Sequence, residues 1–331
     1  MNKREDLRNR IFFEHTKESF ETLALDIFRY QASCNHVYSK WIKELGVDFT
    51  RVASLNEIPF MPISFFKNHK VVSGGLTPQL AFKSSGTTGT TTSTHYICDP
   101  LLYEESIIKG FTRTFGNPSE WIFLALLPSY AERQDSSLVY MMNVLMKESK
   151  HALNGFYLHN YTELLGVLQM LHSANRKVWL IGVSFALLDF ALLRPLAWDG
   201  LVVIETGGMK GRRRELVRQE LHEEIKKDWA LHSIESEYGM TELLSQAWTN
   251  RAGLFQTPPW MKISIRESDD PLSVGVFGET GGICITDLAN LDSCAFICTS
   301  DLGKMHVDGN FEVIGRFDNS DLRGCNLLAE F

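Results

Sequence analysis

Three short clusters in this chain of 331 residues carry residue types that do chemistry. The first is Lys83-Ser84-Ser85-Gly86-Thr87-Thr88-Gly89, which runs on into Thr90 to Thr94. Its two glycines let the backbone turn tightly and present amide N–H groups to an anion. The hydroxyls of Ser84, Ser85, Thr87 and Thr88 add donors without adding charge. That combination suits polyphosphate oxygens, although no Gly-Lys-Ser/Thr closes the run as in a Walker loop. Taken alone, the run reads equally as a surface loop.

The second cluster is Glu237-Tyr238-Gly239-Met240-Thr241-Glu242. Tyr238 offers a flat face to a base, Gly239 a close approach, Thr241 a hydroxyl, and Glu242 a hard oxygen ligand for Mg²⁺. By itself it also reads as a helix start. The third is Thr299-Ser300-Asp301-Leu302-Gly303, closing an apolar strand, with Gly315-Arg316-Phe317-Asp318 after a hairpin. A carboxylate at a strand end accepts two ribose hydroxyls, and a nearby arginine meets phosphate. Alone, Asp301 reads as a turn residue.

The elements that must hold these clusters follow from apolar spacing. Phe20, Leu23, Ala24 and Ile27 recur at helical intervals, as do Tyr38, Trp41, Ile42 and Leu45, with Gly46 placed as a stop. The prolines of Ile58 to Ile63 predict an extended connector. Trp121 to Leu127, Val178 to Ile181 and Leu201 to Ile204 read as strands. Leu138 to Met146, Phe185 to Leu193 and Arg212 to Trp229 read as helices, the last with Leu216, Val217, Leu221 and Ile225 on one side. Strands buried on both faces with helices between them predict an α/β body with a parallel sheet. Gly281 to Thr286 and Cys294 to Thr299 read as strands, and Met305 to Ile314 as a hairpin about Asp308-Gly309. The expected organisation is a helical lead-in and connector over 1–75, an α/β nucleotide-binding body over 76–250, and a β-rich subdomain with a tail over 251–331.

Composition narrows the partners. Apolar content of 44%, charged content of 22% and a net charge of −7 are those of an ordinary globular protein, with no electrostatic reason to expect nucleic acid. No apolar run has the length of a membrane span, and the N-terminus does not read as a signal peptide. The six cysteines form no dense framework, which predicts reduced thiols and a cytoplasmic location. Cys294 and Cys298 read as buried small hydrophobes.

The order and spacing of the clusters together resemble the adenylate-forming superfamily of acyl-CoA synthetases, peptide-synthetase adenylation domains and luciferases. Within it the chain looks most like the acyl-protein synthetase (LuxE) branch. That closer match rests on Leu127-Pro128-Ser129-Tyr130 with Glu132-Arg133, on Thr206-Gly207-Gly208-Met209-Lys210-Gly211-Arg212, on Pro258-Pro259-Trp260 and on Arg323-Gly324-Cys325. The resemblance implies that Ser84 to Gly89 hold ATP phosphates. It places Gly207, Gly208 and Tyr238, with Gly239, around the adenine. Thr241 and Glu242 would serve the α-phosphate and Mg²⁺, and Asp301, with Arg316 close by, the ribose. The implied reaction is attack of a carboxylate, in this branch that of a fatty acid, on the α-phosphorus to give an acyl-adenylate.

Members of this superfamily continue into a C-terminal lid that carries a catalytic lysine. The sequence stops at Phe331, so the resemblance predicts that the lid is missing, and either the first half-reaction runs without such a lysine or another substitutes, with Lys83 and Lys210 the nearest candidates by motif. In the LuxE branch a C-terminal cysteine takes the acyl group as a thioester, which implies that role for Cys325. Arg323 beside it would favour the thiolate. The implied acyl acceptor is then a partner protein, a reductase or carrier, or coenzyme A. His95 reads either as a group facing the substrate or as a hydrogen-bonded structural histidine. Tyr130, Glu132 and Arg133 read as pocket or partner residues.

Overall fold

The computed structural model describes residues 2–85, 92–129, 131–207, 217–249, 253–267, 270, 273 and 278–317. The chain opens with three helices, α1 (Lys3–Arg10), α2 (Lys17–Cys34) and α3 (His36–Glu44). Thr16 caps α2 by accepting from the Ser19 N–H, and Asn35 caps α3 by accepting from the Tyr38 N–H. The expected stripe of Phe20, Leu23, Ala24 and Ile27 is buried. Gly46 ends the pair at φ +68°, in the left-handed region that glycine enters without steric cost. The connector contains the short strand β1 (Met61–Pro62) and the single-turn helix α4 (Phe65–Asn68). A two-stranded antiparallel ribbon, β2 (Leu80–Lys83) with β3 (Thr94–Ile97), then carries the glycine-rich run at its tip.

The α/β body follows: α5 (Pro100–Phe115), β4 (Ile122–Leu126), α6 (Ser137–Ser149), β5 (Gly155–Phe156), α7 (Tyr161–Ser173), β6 (Val178–Val183), α8 (Ser184–Ala191), β7 (Leu201–Thr206) and α9 (Arg218–Trp229), leading to β8 (Glu235–Tyr238). Neighbours β5, β4, β6, β7 and β8 pair in parallel. Every residue of β4 and β6 is buried, as a sheet covered on both faces requires. The remaining strands are β9 (Ala247–Thr249), β10 (Phe255–Gln256), β11 (Met261–Arg266), β12 (Thr280–Asp287), β13 (Phe296–Met305) and β14 (Phe311–Arg316). They continue the same sheet in the order β8, β9, β10, β14, β13, β12, β11, and β1 joins β13 in parallel. The α/β class with a β-rich region therefore stands, as does the hairpin at Asp308-Gly309, where Gly309 has φ +83°.

Three local expectations need correction. Helix α9 begins at Arg218: Val217 has extended backbone angles and is exposed, and the buried stripe is Leu221, Ile225 and Trp229. Residues 212–216 lie outside the described residues. Asp301 does not close a strand but sits inside the ten-residue β13, directly across from Arg316 of β14. Cys298 is not a reduced thiol, because it forms a disulfide with Cys284, its cross-strand partner in β12. Fourteen residues separate the two in sequence, a spacing that reveals nothing until the strands pair. Cys294 is free and fully buried, as expected of a small hydrophobe.

The turn between β12 and β13, residues 288–295, is buried where connections ordinarily face solvent. A buried turn must find partners for its backbone polar groups. Gln31 of α2 donates to the carbonyls of Asn290 and Leu291 and accepts from the Ala295 N–H. Asn35 donates to the Ser293 carbonyl, and Arg4 forms an ion pair with Asp292. The helical lead-in is thus joined to the far end of the sequence by buried hydrogen bonds.

Candidate active site

The parallel strands β6, β7 and β8 all end on one edge, where α/β sheets place their ligands. At the end of β7, Gly207 turns the chain at φ +71°, and its carbonyl accepts from the Ser184 hydroxyl. At the end of β8 the chain runs through Tyr238 and Gly239. A Cβ at Gly239 would lie 2.1 Å from Glu237 Oε1, so no side chain fits there without moving Glu237. Glu237 is half-buried and accepts from Thr206 Oγ1 at 2.5 Å. Burial pushes its carboxyl up to about 7.

The sheet curls so that β8 meets β13, although β9, β10 and β14 lie between them in strand order. The Tyr238 hydroxyl donates to Asp301 Oδ2 at 2.9 Å, and Arg316 Nε donates to Asp301 Oδ1 at 2.8 Å. Asp301 is buried while the Arg316 side chain is 77% exposed, so the pair reaches from the core to the surface. The Tyr238 ring packs edge-on against Phe311 at 5.5 Å and tilted against Phe255 at 5.7 Å. At 8% exposure, most of the flat face expected to meet a base is taken up by protein. The tyrosine holds Asp301 through its hydroxyl.

Thr241 and Glu242 occupy the turn after β8, and three polar groups fix it. His95 of β3 lies with Nδ1 2.8 Å from the Thr241 carbonyl and Nε2 3.1 Å from Asn290 Oδ1. Asn290 Nδ2 donates to the Glu242 carbonyl at 2.7 Å. Asp287 accepts from the Leu244 N–H at 2.8 Å and from the Ser245 hydroxyl at 2.6 Å. Burial lowers His95 to about 4, so it is neutral and serves as a bracket. Of its two readings, the structural one describes its contacts.

The Glu242 side chain is 5% exposed, and the Ser93 hydroxyl lies on its carboxylate's side of the turn, where it favours the charged form. Burial raises the Glu242 pKa, against the opposing pull of Ser93, of its own backbone N–H and of the Arg316 and Lys67 charges. Ser93 in turn closes the neck of the glycine-rich loop. Its N–H donates to Ser84 Oγ at 2.9 Å, and its carbonyl accepts from the Ser84 N–H at 3.0 Å. The first and second sequence clusters therefore meet at Ser84, Ser93 and Glu242. Arg316 links them electrostatically to the third.

Gly86, Thr87, Thr88, Gly89, Gly208 and Cys325 lie outside the described residues, as do Tyr130 and Lys210. Ser85 and Lys83 are exposed at the loop neck, where the Lys83 N–H donates to the Asp135 carbonyl. Glu132 accepts from Ser129, and Arg133 pairs with Asp135, so both side chains serve a turn that supports the ribbon. Asp287 and Asn290 went unnoticed in the sequence, because each is a single polar residue with no motif around it and only the tertiary fold brings it to the Thr241–Glu242 turn. Ser93 was visible only as part of the run after the glycine loop.

A nucleotide-borne Mg²⁺ needs only one or two protein carboxylates, because phosphates and water complete its shell. Glu242 at the neck of a phosphate-type loop fits that requirement. Among the described residues no group of three His, Cys, Asp or Glu side chains is placed to hold a metal unaided. No described helix is long and apolar enough to cross a membrane.

No family model matches the chain, and no curated protein is similar to it in sequence. Solved structures do match. A 2-hydroxyisobutyryl-CoA ligase, in complex with 2-HIB-AMP and CoA in the thioesterification state, superimposes with a TM-score of 0.67 at 13% identity, over 92% of this chain and 70% of that one. An open conformation of that ligase gives 0.64 at 12% identity, over 91% and 71%. ATP-bound MatB from Rhodopseudomonas palustris gives 0.55 at 16% identity, over 73% of this chain and 49% of that one. The fold is that of the N-terminal part of adenylate-forming ligases. At such identities the likeness is one of architecture. In this fold, Ser84, Gly207, Thr241, Glu242 and Arg316 stand at strand ends, turns and the ribbon neck, and Asp301 faces Arg316 from within β13.

Proposed function

We propose that the chain uses ATP to adenylate a carboxylic acid. The observation that carries this reading is the meeting of Ser84, Ser93 and Glu242 at the neck of a hydroxyl- and glycine-rich loop, with the Asp301–Arg316 pair acting on the same carboxylate. Phosphate binding alone requires neither a buried Glu nor a buried Asp.

In this reading the loop Ser84 to Gly89 receives the phosphates through backbone N–H groups and hydroxyls. Gly207 and Gly208 flank the adenine on one side, and Tyr238 and Gly239 on the other. Asp301, oriented by Tyr238 and Arg316, accepts the ribose hydroxyls on its remaining lone pairs. Thr241 donates to the α-phosphate. Glu242 would hold the Mg²⁺, which supplies neutralisation of phosphate charge. The acid's carboxylate oxygen forms a bond to the α-phosphorus while the bond from that phosphorus to the bridging oxygen breaks, and pyrophosphate leaves. No proton needs to move, so catalysis consists of alignment and charge stabilisation.

The finer reading is a fatty acid as substrate, with the acyl group passing from the adenylate to Cys325 and then to a partner protein. Coenzyme A is the second candidate acceptor, since the matching 2-hydroxyisobutyryl-CoA ligase is seen with CoA and an acyl-adenylate. The test is exchange of labelled pyrophosphate into ATP across acetate, 2-hydroxyisobutyrate, benzoate, octanoate and tetradecanoate. Exchange that depends on one of these acids supports adenylation. Folded protein that binds ATP yet exchanges with none points to a nucleotide-binding scaffold instead.

A further inference from the structure

The Glu242 opening carries one cation that no sequence cluster contains. Ile63 donates its N–H to the Cys298 carbonyl at 2.9 Å, which anchors the connector on β13, and α4 follows immediately. Within α4, Phe66 is buried and its ring meets His95 edge-on at 5.5 Å. The same His95 ring supports the Thr241 carbonyl, and Asn290 beyond it supports Glu242. Phe66 therefore seats α4 against the bracket of the Thr241–Glu242 turn. The adjacent Lys67 is exposed, and its ammonium has no ion-pair or hydrogen-bond partner among the described residues. Its charge acts on Glu242 together with that of Arg316, which comes from a different element. Arg316 is already paired with Asp301, which leaves the Lys67 ammonium, among the described residues, as the cation free to meet a polyanion at this site.

We propose that Lys67 is a catalytic residue of this site, its ammonium pairing with the triphosphate held at the Ser84–Ser93 neck. This rests on the adenylation reading and adds a residue to it. When the acid's carboxylate oxygen attacks the α-phosphorus, the electron pair of the broken bond stays on the departing pyrophosphate. A fixed ammonium beside that group lowers the cost of the added charge.

The test compares Lys67→Met, Lys67→Arg and a neighbouring control, Lys70→Met, in the full chain. Lys70 lies over the Tyr96 ring and outside the proposed site. Calorimetry with ATP and with AMP is read beside acid-dependent pyrophosphate exchange. Loss of one charge-assisted contact predicts ATP binding about tenfold weaker in Lys67→Met, with AMP binding unchanged. Exchange should fall by at least as much, Lys67→Arg should recover part of both, and Lys70→Met should match the wild type. Equal ATP affinity and exchange in Lys67→Met would overturn the assignment while leaving adenylation intact. Equal weakening of ATP and AMP would overturn the triphosphate contact. Wild-type protein that shows no exchange would remove the parent reading and this one with it.

Discussion

The Tyr238 hydroxyl donates to Asp301 across 2.9 Å, joining motifs that lie 63 residues apart. Arg316 occupies the other carboxylate oxygen, so Asp301 is oriented from two sides before any ligand arrives. Such orientation is what a ribose-binding carboxylate needs.

Removing that carboxylate should show in sugar recognition. Asp301→Ala should weaken ATP binding about tenfold or more and abolish the preference for ATP over 2′-deoxy-ATP, read by calorimetry. Tyr238→Phe, which removes only the donor, should cost about 1 kcal/mol of stability and leave that preference in place.

Capture of the acyl group by Cys325 is separable from adenylation. Labelled acid with ATP should leave a hydroxylamine-sensitive label on the chain. Cys325→Ala should lose the label while keeping pyrophosphate exchange. An equally labelled Cys325→Ala protein would show that the thioester forms elsewhere.

Glu237 and His95 give stability opposing pH slopes. Glu237 is raised from 4.5 to about 7, so the folded state binds a proton that the unfolded state has lost, and stability falls as pH rises through this window. His95 is lowered from 6.5 to about 4, so the unfolded state takes its proton first, and stability falls as pH drops from about 6.5 toward 4. Buried Asp287, raised from 3.8 to about 6, opposes His95 below about pH 6. Glu237→Gln should therefore remove the fall in stability between about pH 6 and 7 and leave a nearly flat profile below it. Urea melts between pH 4 and 8 measure this, and an unchanged profile in the variant would rule out burial of an ionisable Glu237.

The Cys284–Cys298 bond closes a short hairpin. Cys298→Ser should lower stability by about 3 kcal/mol relative to oxidised wild type and by much less relative to the reduced protein. Thiol counts under denaturing, non-reducing conditions provide the direct check, with Cys284 and Cys298 unreactive.

Much of the framework was legible because it depends on local pattern. The stripes of α2 and α3, the buried runs of β4, β6 and β7, and the hairpin at Gly309 all follow from spacing and turn chemistry. The glycine-rich run, Thr241–Glu242, Asp301 and Arg316 were visible as motifs for the same reason. What escaped was everything created by long-range register. Asp287 and Asn290 gain their meaning only when the end of β12 and the turn after it are buried against β3 and the residues after β8. Cys284 and Cys298 meet only through strand pairing, and Lys67 reaches Glu242 only because Phe66 finds His95. Tyr238 was read as an aromatic face, yet the packing of Phe255 and Phe311 leaves its hydroxyl as the useful part.

The buried turn at 288–295 also sets an order of events during synthesis. Gln31 waits for carbonyls at Asn290 and Leu291, the first of them 259 residues downstream. At roughly 10 residues per second that delay is on the order of 25 seconds. α2 can pack on α3 meanwhile, Phe28 against Tyr38, but Gln31 and the amide of Asn35 lack the carbonyls they meet in the finished fold. The first helices to leave the ribosome are thus among the last to complete their polar contacts, and during that interval they are a segment a chaperone would meet.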